Sequence, residues 1–205
     1  MFSRLKRLFS PAAASGSGLR SFLRQYRDEL PPLSARNDHQ KCLSVLTQVL
    51  EFGHRDRSPE PGLAGYATDS CVFELACYIL ASTDLWAFNK APEKRQKIQQ
   101  ILFAQLDAIC SRSGFLPAEA AFAIANDRVG MYGQIASTAS GEEGLHLRLN
   151  QALKHATTHL EPPARIDAVP PIFGDPFESL AVTKALVRWE MQRLPDMDSS
   201  LCTIS

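Results

Sequence analysis

Histidine, cysteine and isolated charges set in apolar stretches are where chemistry could reside in this 205-residue chain. Two histidines stand at a spacing that a metal could use. In His155-Ala-Thr-Thr-His159 the i, i+4 relation puts both imidazoles on one side of a helix, as in helical zinc sites. The glutamate that would act as base in an H-E-x-x-H motif is replaced by Ala156. Projected at about 100° per residue, Leu145, Leu149, Ala152, Leu153, Ala156 and Leu160 form the apolar stripe of this helix. His155 and His159 flank the stripe with Arg148, a cation that opposes a metal, while His146 falls on the opposite flank. A third ligand would have to come from another helix, so the pair is a weak metal candidate.

Charges within apolar faces form the second group. Asp84 shares a stripe with Phe73, Cys77, Leu80 and Phe88, and Arg128 lies among Ile124, Met131 and Ile135. A charge carried into a core must find a partner there. The expectation is an ion pair between Arg128 and either Asp84 or Glu74 that sets helix register. Gly130 and Gly133 in "RVGMYGQ" are expected to allow a close helix contact or a local bend.

Many motifs are missing. The chain contains no G-x-x-x-x-G-K-[ST], G-x-G-x-x-G or G-x-S-x-G, no cysteine pair with zinc spacing, and no adjacent His-Asp pair. No catalytic residue and no cofactor is therefore assigned. Of the five cysteines, Cys42, Cys71, Cys77 and Cys110 lie in apolar helical contexts, where a free thiol behaves as a small hydrophobe. An odd count without C-x-x-C fits a reducing, intracellular compartment.

Cys202 is different. Cys202-Thr203-Ile204-Ser205 has the form of a prenylation box, which makes Cys202 a lipidation candidate. Asp196 and Asp198 occupy the place where a polybasic second signal would stand, and one lipid chain anchors only marginally.

Charge is unevenly spread. The 22 basic and 22 acidic residues cancel, yet six basic residues and no acid lie between Met1 and Arg27. Within this arm Phe2, Leu5, Leu8 and Phe9 fall near one helical face, with Arg4, Lys6 and Arg7 displaced from it. Such a segment suits a protein partner or an anionic membrane surface. Its Arg- and Ser-rich, acid-free composition also looks like an organellar transit peptide. Nucleic acid fits poorly, because the arm lacks a stacking platform and the acidic remainder would be repelled.

The elements that must position these residues are helical. Apolar spacing predicts helices over about 38–52, 68–89, 92–113, 117–137, 140–160 and 175–194, and no window alternates with period two. "CVFELACYILASTDLWAF" is interrupted by Glu74 and Asp84, so it reads as a core helix and not as a membrane span. The organisation expected is a partly flexible basic arm over 1–37, a helical core over 38–161, a Pro-rich linker over 162–176, a helix over 177–194 and a flexible tail over 195–205. Pro195 is expected to end the last helix. That helix is apolar on two sides. Trp189, with Val182 and Leu186, is a candidate docking surface, while Phe177, Leu180, Val187 and Met191 form the other side.

The fold class read from the sequence is all-α, a single bundle-like domain of five to six helices. The function expected is non-enzymatic, by protein–protein contact or self-association. The alternatives are peripheral membrane association through the arm, with or without lipid on Cys202, and a helical metalloenzyme using His155 and His159.

Overall fold

The structure is a computed structural model that describes residues 18–55, 58–59, 63–117, 119–138, 141–159, 161–165 and 176–204. The residues so described form seven α-helices: α1 Leu19–Asp28, α2 Asp38–Leu46, α3 Asp69–Lys90, α4 Arg95–Ser113, α5 Ala120–Ala136, α6 Gly141–Thr158 and α7 Pro176–Leu201. The only extended pairing among them is a two-residue antiparallel bridge, with His54 opposite Pro59 and Arg55 opposite Ser58. The fold is all-α, with one helix more than the upper count expected.

Helix α3 is the axis of the bundle. Every residue from Ser70 to Ala81 is buried, which requires helices on all its sides. Helices α4, α5 and α6 pack around it, and α7 lies across α6 and α2. Phe73, Leu75 and Ile79 are almost wholly buried, each contributing about 1.5–3 kcal/mol of transfer free energy. By length and composition α3 is also the one described helix long and apolar enough to cross a bilayer, with 72% of its most apolar window inside the bundle.

Local chemistry sets the helix ends. Asn37 and Gln40 form a reciprocal capping box at α2, and the Thr68 side chain accepts from the Cys71 N–H at α3. Gly114 closes α4 in the left-handed region at φ +71°; Phe115 N–H then reaches back to the Cys110 carbonyl. Glu119, at φ +69°, precedes α5, its N–H donating to the Asp107 carboxylate. Helix α1 has no cap of its own. Asp69 of α3 supplies one by accepting from Arg20 N–H at 3.2 Å, and a Cβ at Gly18 would collide with that carboxylate.

Several expectations need correction. Residues 19–28 belong to the core: Leu19 and Leu23 of α1 are 0% and 1% exposed, because the apolar i, i+4 pair outweighs the arginines beside it. In the described part of the proline-rich segment Pro162 is buried, while Ala164 and Arg165 are exposed. Helix α7 continues through Pro195 to Leu201. A proline costs one rung of the ladder, and the burial of Met197, Leu201 and Ile204 offsets it. From Asp196 to Ile204 the chain is therefore packed against the core and does not form the flexible tail expected. A Cβ at Gly130 or Gly133 meets nothing within 4 Å. The close approach lies instead at Gly144 of α6, where a Cβ would fall 2.9 Å from Ile135 Cγ2 of α5.

Candidate functional site

Two features of the bundle can be built from their residues upward: a line of polar side chains through the core, and the outer face of α7.

The polar line starts at Arg128. Burial opposes its charge, yet the guanidinium pKa is raised by hydrogen bonds and charge from Glu74. Arg128 Nη2 donates to Glu74 Oε1 at 2.9 Å and Nε to Oε2 at 3.1 Å. With both residues at most 1% exposed, this is a bidentate pair in the core between α3 and α5. Arg128 also donates to the Pro163 carbonyl at 2.7 Å and to Asp127 at 3.0 Å. Its partner is Glu74 and not Asp84. Asp84 instead takes two hydrogen bonds from Arg95, at 2.6 and 2.8 Å, and a third from Gln99, which clamps the turn between α3 and α4.

One turn on from Arg128, Tyr132 packs edge-on against Tyr78, ring centres 5.5 Å apart. Burial, followed by the Glu74 charge, raises the Tyr132 pKa. The Tyr78 hydroxyl donates to Glu190 Oε1, and His146 Nε2 meets Glu190 Oε2, both at 2.5 Å. Arg193 Nη2 reaches Glu190 at 3.3 Å and Ser82 at 2.9 Å. Burial alone would raise the Glu190 pKa, but hydrogen bonds from His146 and Tyr78 and the Arg193 charge hold it below its ordinary value. A Tyr–Glu–His chain has groups suited to proton transfer. Here all the groups face one another: α3, α6 and α7 are joined by them, and none of the three lines the cleft of about 530 Å³ bounded by Arg27, Arg36, Gln48 and Arg193.

The histidine pair does not converge on an ion. The His155 and His159 rings are stacked 3.7 Å apart and 6° from parallel. Ring nitrogens bind metals in the ring plane, and parallel planes share no such point. His159 Nδ1 also lies 2.9 Å from the His155 carbonyl. Burial lowers the His155 pKa, as do His159 and Arg128. Among the described residues no group of three or more His, Cys, Asp or Glu could hold a metal.

Trp189 faces inward. It is 2% exposed, stacks edge-on with Phe52 and donates its indole N–H to the Gln48 carbonyl at 2.9 Å. It cannot be a docking surface. The opposite face of α7 is the open one, with Leu180, Val187, Met191 and Leu194 all exposed and Met191 at 72%. The helix supplies Val182, Leu186 and Trp189 to the core and turns a second apolar stripe outward. Apolar content on two sides of α7 was legible from the sequence; which side faces in was not.

Cys202 is exposed but sits in a docked segment. Ile204 is 1% exposed, and the Cys202 and Thr203 carbonyls accept from Lys94 and Lys41. The other four thiols are buried; burial pushes Cys42 up to about 12 and Cys71 to about 11, so they act as packing groups and not as nucleophiles. The arm residues Phe2, Arg4, Leu5, Lys6, Arg7, Leu8 and Phe9 lie outside the described residues.

Comparison with protein-family models, with curated proteins and with solved structures found no match.

Proposed function

We propose that this is a non-enzymatic helical domain that works by contact with another protein surface, made through the outer face of α7. The observation that supports the reading is the double-sided character of that helix. One side fills the core, while Leu180, Val187, Met191 and Leu194 line up outside, from 40% to 72% exposed. Isolated apolar side chains at a surface are ordinary, but a stripe along one helix is a contact signal. The ionisable groups with catalytic potential support the same reading, since Glu74, Asp84, Arg128 and Glu190 are each engaged by partners within the fold.

A photo-crosslinking amino acid at Met191 tests this in cells. The expected result is discrete protein adducts at Met191 and none from the same group at exposed Gln100 on α4. Equal, diffuse labelling at both positions would count against the reading.

A further inference from the structure

The outer face of α7 has a definite pattern. Leu180, Lys184, Val187, Met191, Leu194 and Asp198 are all exposed and follow one another at spacings of four, three, four, three and four residues. That is the seam of a helix pair, in which each side chain recurs about every 3.5 residues on one face. The seam runs about 27 Å from Leu180 to Asp198 at 1.5 Å per residue. Its middle is apolar and its two charges are of opposite sign.

The charges are placed symmetrically. Lys184 lies seven residues before Met191 and Asp198 seven residues after it. Val187 and Leu194 stand four before and three after. Turning the helix end for end about Met191 therefore exchanges the cation with the anion and apolar with apolar. Against a parallel copy the same seam would set Lys184 against Lys184 and Asp198 against Asp198. Among the described residues Lys184 has no ion pair, and Asp198 takes the Trp86 N–H at 2.9 Å and the Cys202 thiol at 3.8 Å, both on Oδ1, leaving Oδ2 available.

Building on the contact reading above, we propose that α7 pairs antiparallel with α7 of a second copy of this chain. The two-fold axis passes at Met191, and each Lys184 meets Asp198 of the other copy. An isologous contact of this kind needs one patch that is complementary to itself, and the seam has that property. One helix face is a small interface, so the dimer belongs to the weak, reversible class with a micromolar Kd.

Sedimentation of the full chain across a micromolar concentration series tests the proposal. The expected mass rises from 22.6 kDa toward twice that value. Met191→Glu, which brings two like charges together on the axis, should leave the chain monomeric with unchanged helical circular dichroism. Lys184→Glu should raise the Kd about tenfold or more, because like charges then face each other. Adding Asp198→Lys to Lys184→Glu should restore pairing, since the exchange keeps the charges complementary. A dimer indifferent to Met191→Glu, or a charge exchange that fails to restore it, overturns the proposal. So does a monomer at every concentration. If such a monomer still forms discrete Met191 adducts with other proteins in cells, only the self-pairing falls and the contact reading stands. A monomer without adducts removes both.

Discussion

Arg128 shows how strongly one charge can bind a helical core. It is wholly buried and bidentate to Glu74; its Nη1 holds Asp127, and Nη2 donates to the Pro163 carbonyl as well as to Glu74. Deleting one member of such a pair strands the other in low dielectric, which costs about 3–5 kcal/mol. Arg128→Met is therefore expected to lower urea-unfolding stability by that amount. Combining it with Glu74→Leu should recover much of the loss, because the uncompensated carboxylate is gone. If the double variant is as unstable as the single one, the cost lies in the Pro163 attachment. The need for this pair was legible: an arginine among Ile124, Met131 and Ile135 must meet an acid. Choosing between Glu74 and Asp84 was not, because both lie on α3 and only the packing of α5 decides which one Arg128 reaches. The Tyr78–Glu190 bond joins residues 112 apart and leaves no local trace in the sequence.

At the scale of elements, helix periodicity located α2 to α6 to within a few residues. It missed α1 and ended α7 seven residues early, at 194 and not at Leu201, for opposite reasons. Leu19, Phe22, Leu23 and Tyr26 carry the spacing of a packed helix, but the arginines between them made the segment look like a charged arm. Pro195 looked like a stop, though tertiary burial on the far side of α7 outweighs one missing hydrogen bond. Glycines carry the same ambiguity, since a sequence cannot show whether the space beside a Gly is filled. Helix α5 holds Gly130 and Gly133 with nothing within 4 Å of a prospective Cβ and no positive φ there. Alanine at either position should thus stabilise the protein by about 0.5–1 kcal/mol, read as a higher urea midpoint with an unchanged slope. Alanine at Gly144 should do the reverse, because Ile135 would have to move.

At the scale of the whole molecule, the Glu190 cluster links α3, α6 and α7 through Tyr78 and His146. The Glu190 pKa is depressed in the folded chain, so the folded state favours its ionised form. Its contribution is complete above the unfolded carboxylate value of about 4.3 and is lost as pH falls through the lower native value. The stability gap between the natural chain and Glu190→Gln, measured by urea unfolding, is expected to be present at about pH 5, where Glu190 is ionised. It should shrink steadily below about pH 5. A gap independent of pH would mean that Glu190 acts by shape and not by charge.

The route by which this bundle assembles follows from how far apart in the chain its contacts lie. Helix α2 and the turn after it are completed by α7: Trp189 donates to Gln48 across 141 residues of chain, and Lys41 to Thr203 across 162. Loop closure over such separations must precede the contacts that reward it. The α3–α6 helices can collapse early on neighbouring contacts, whereas seating α7 against α2 is the long-range step. For an all-helical protein, refolding should accordingly be slow, and burial of Trp189 should trail the recovery of helicity.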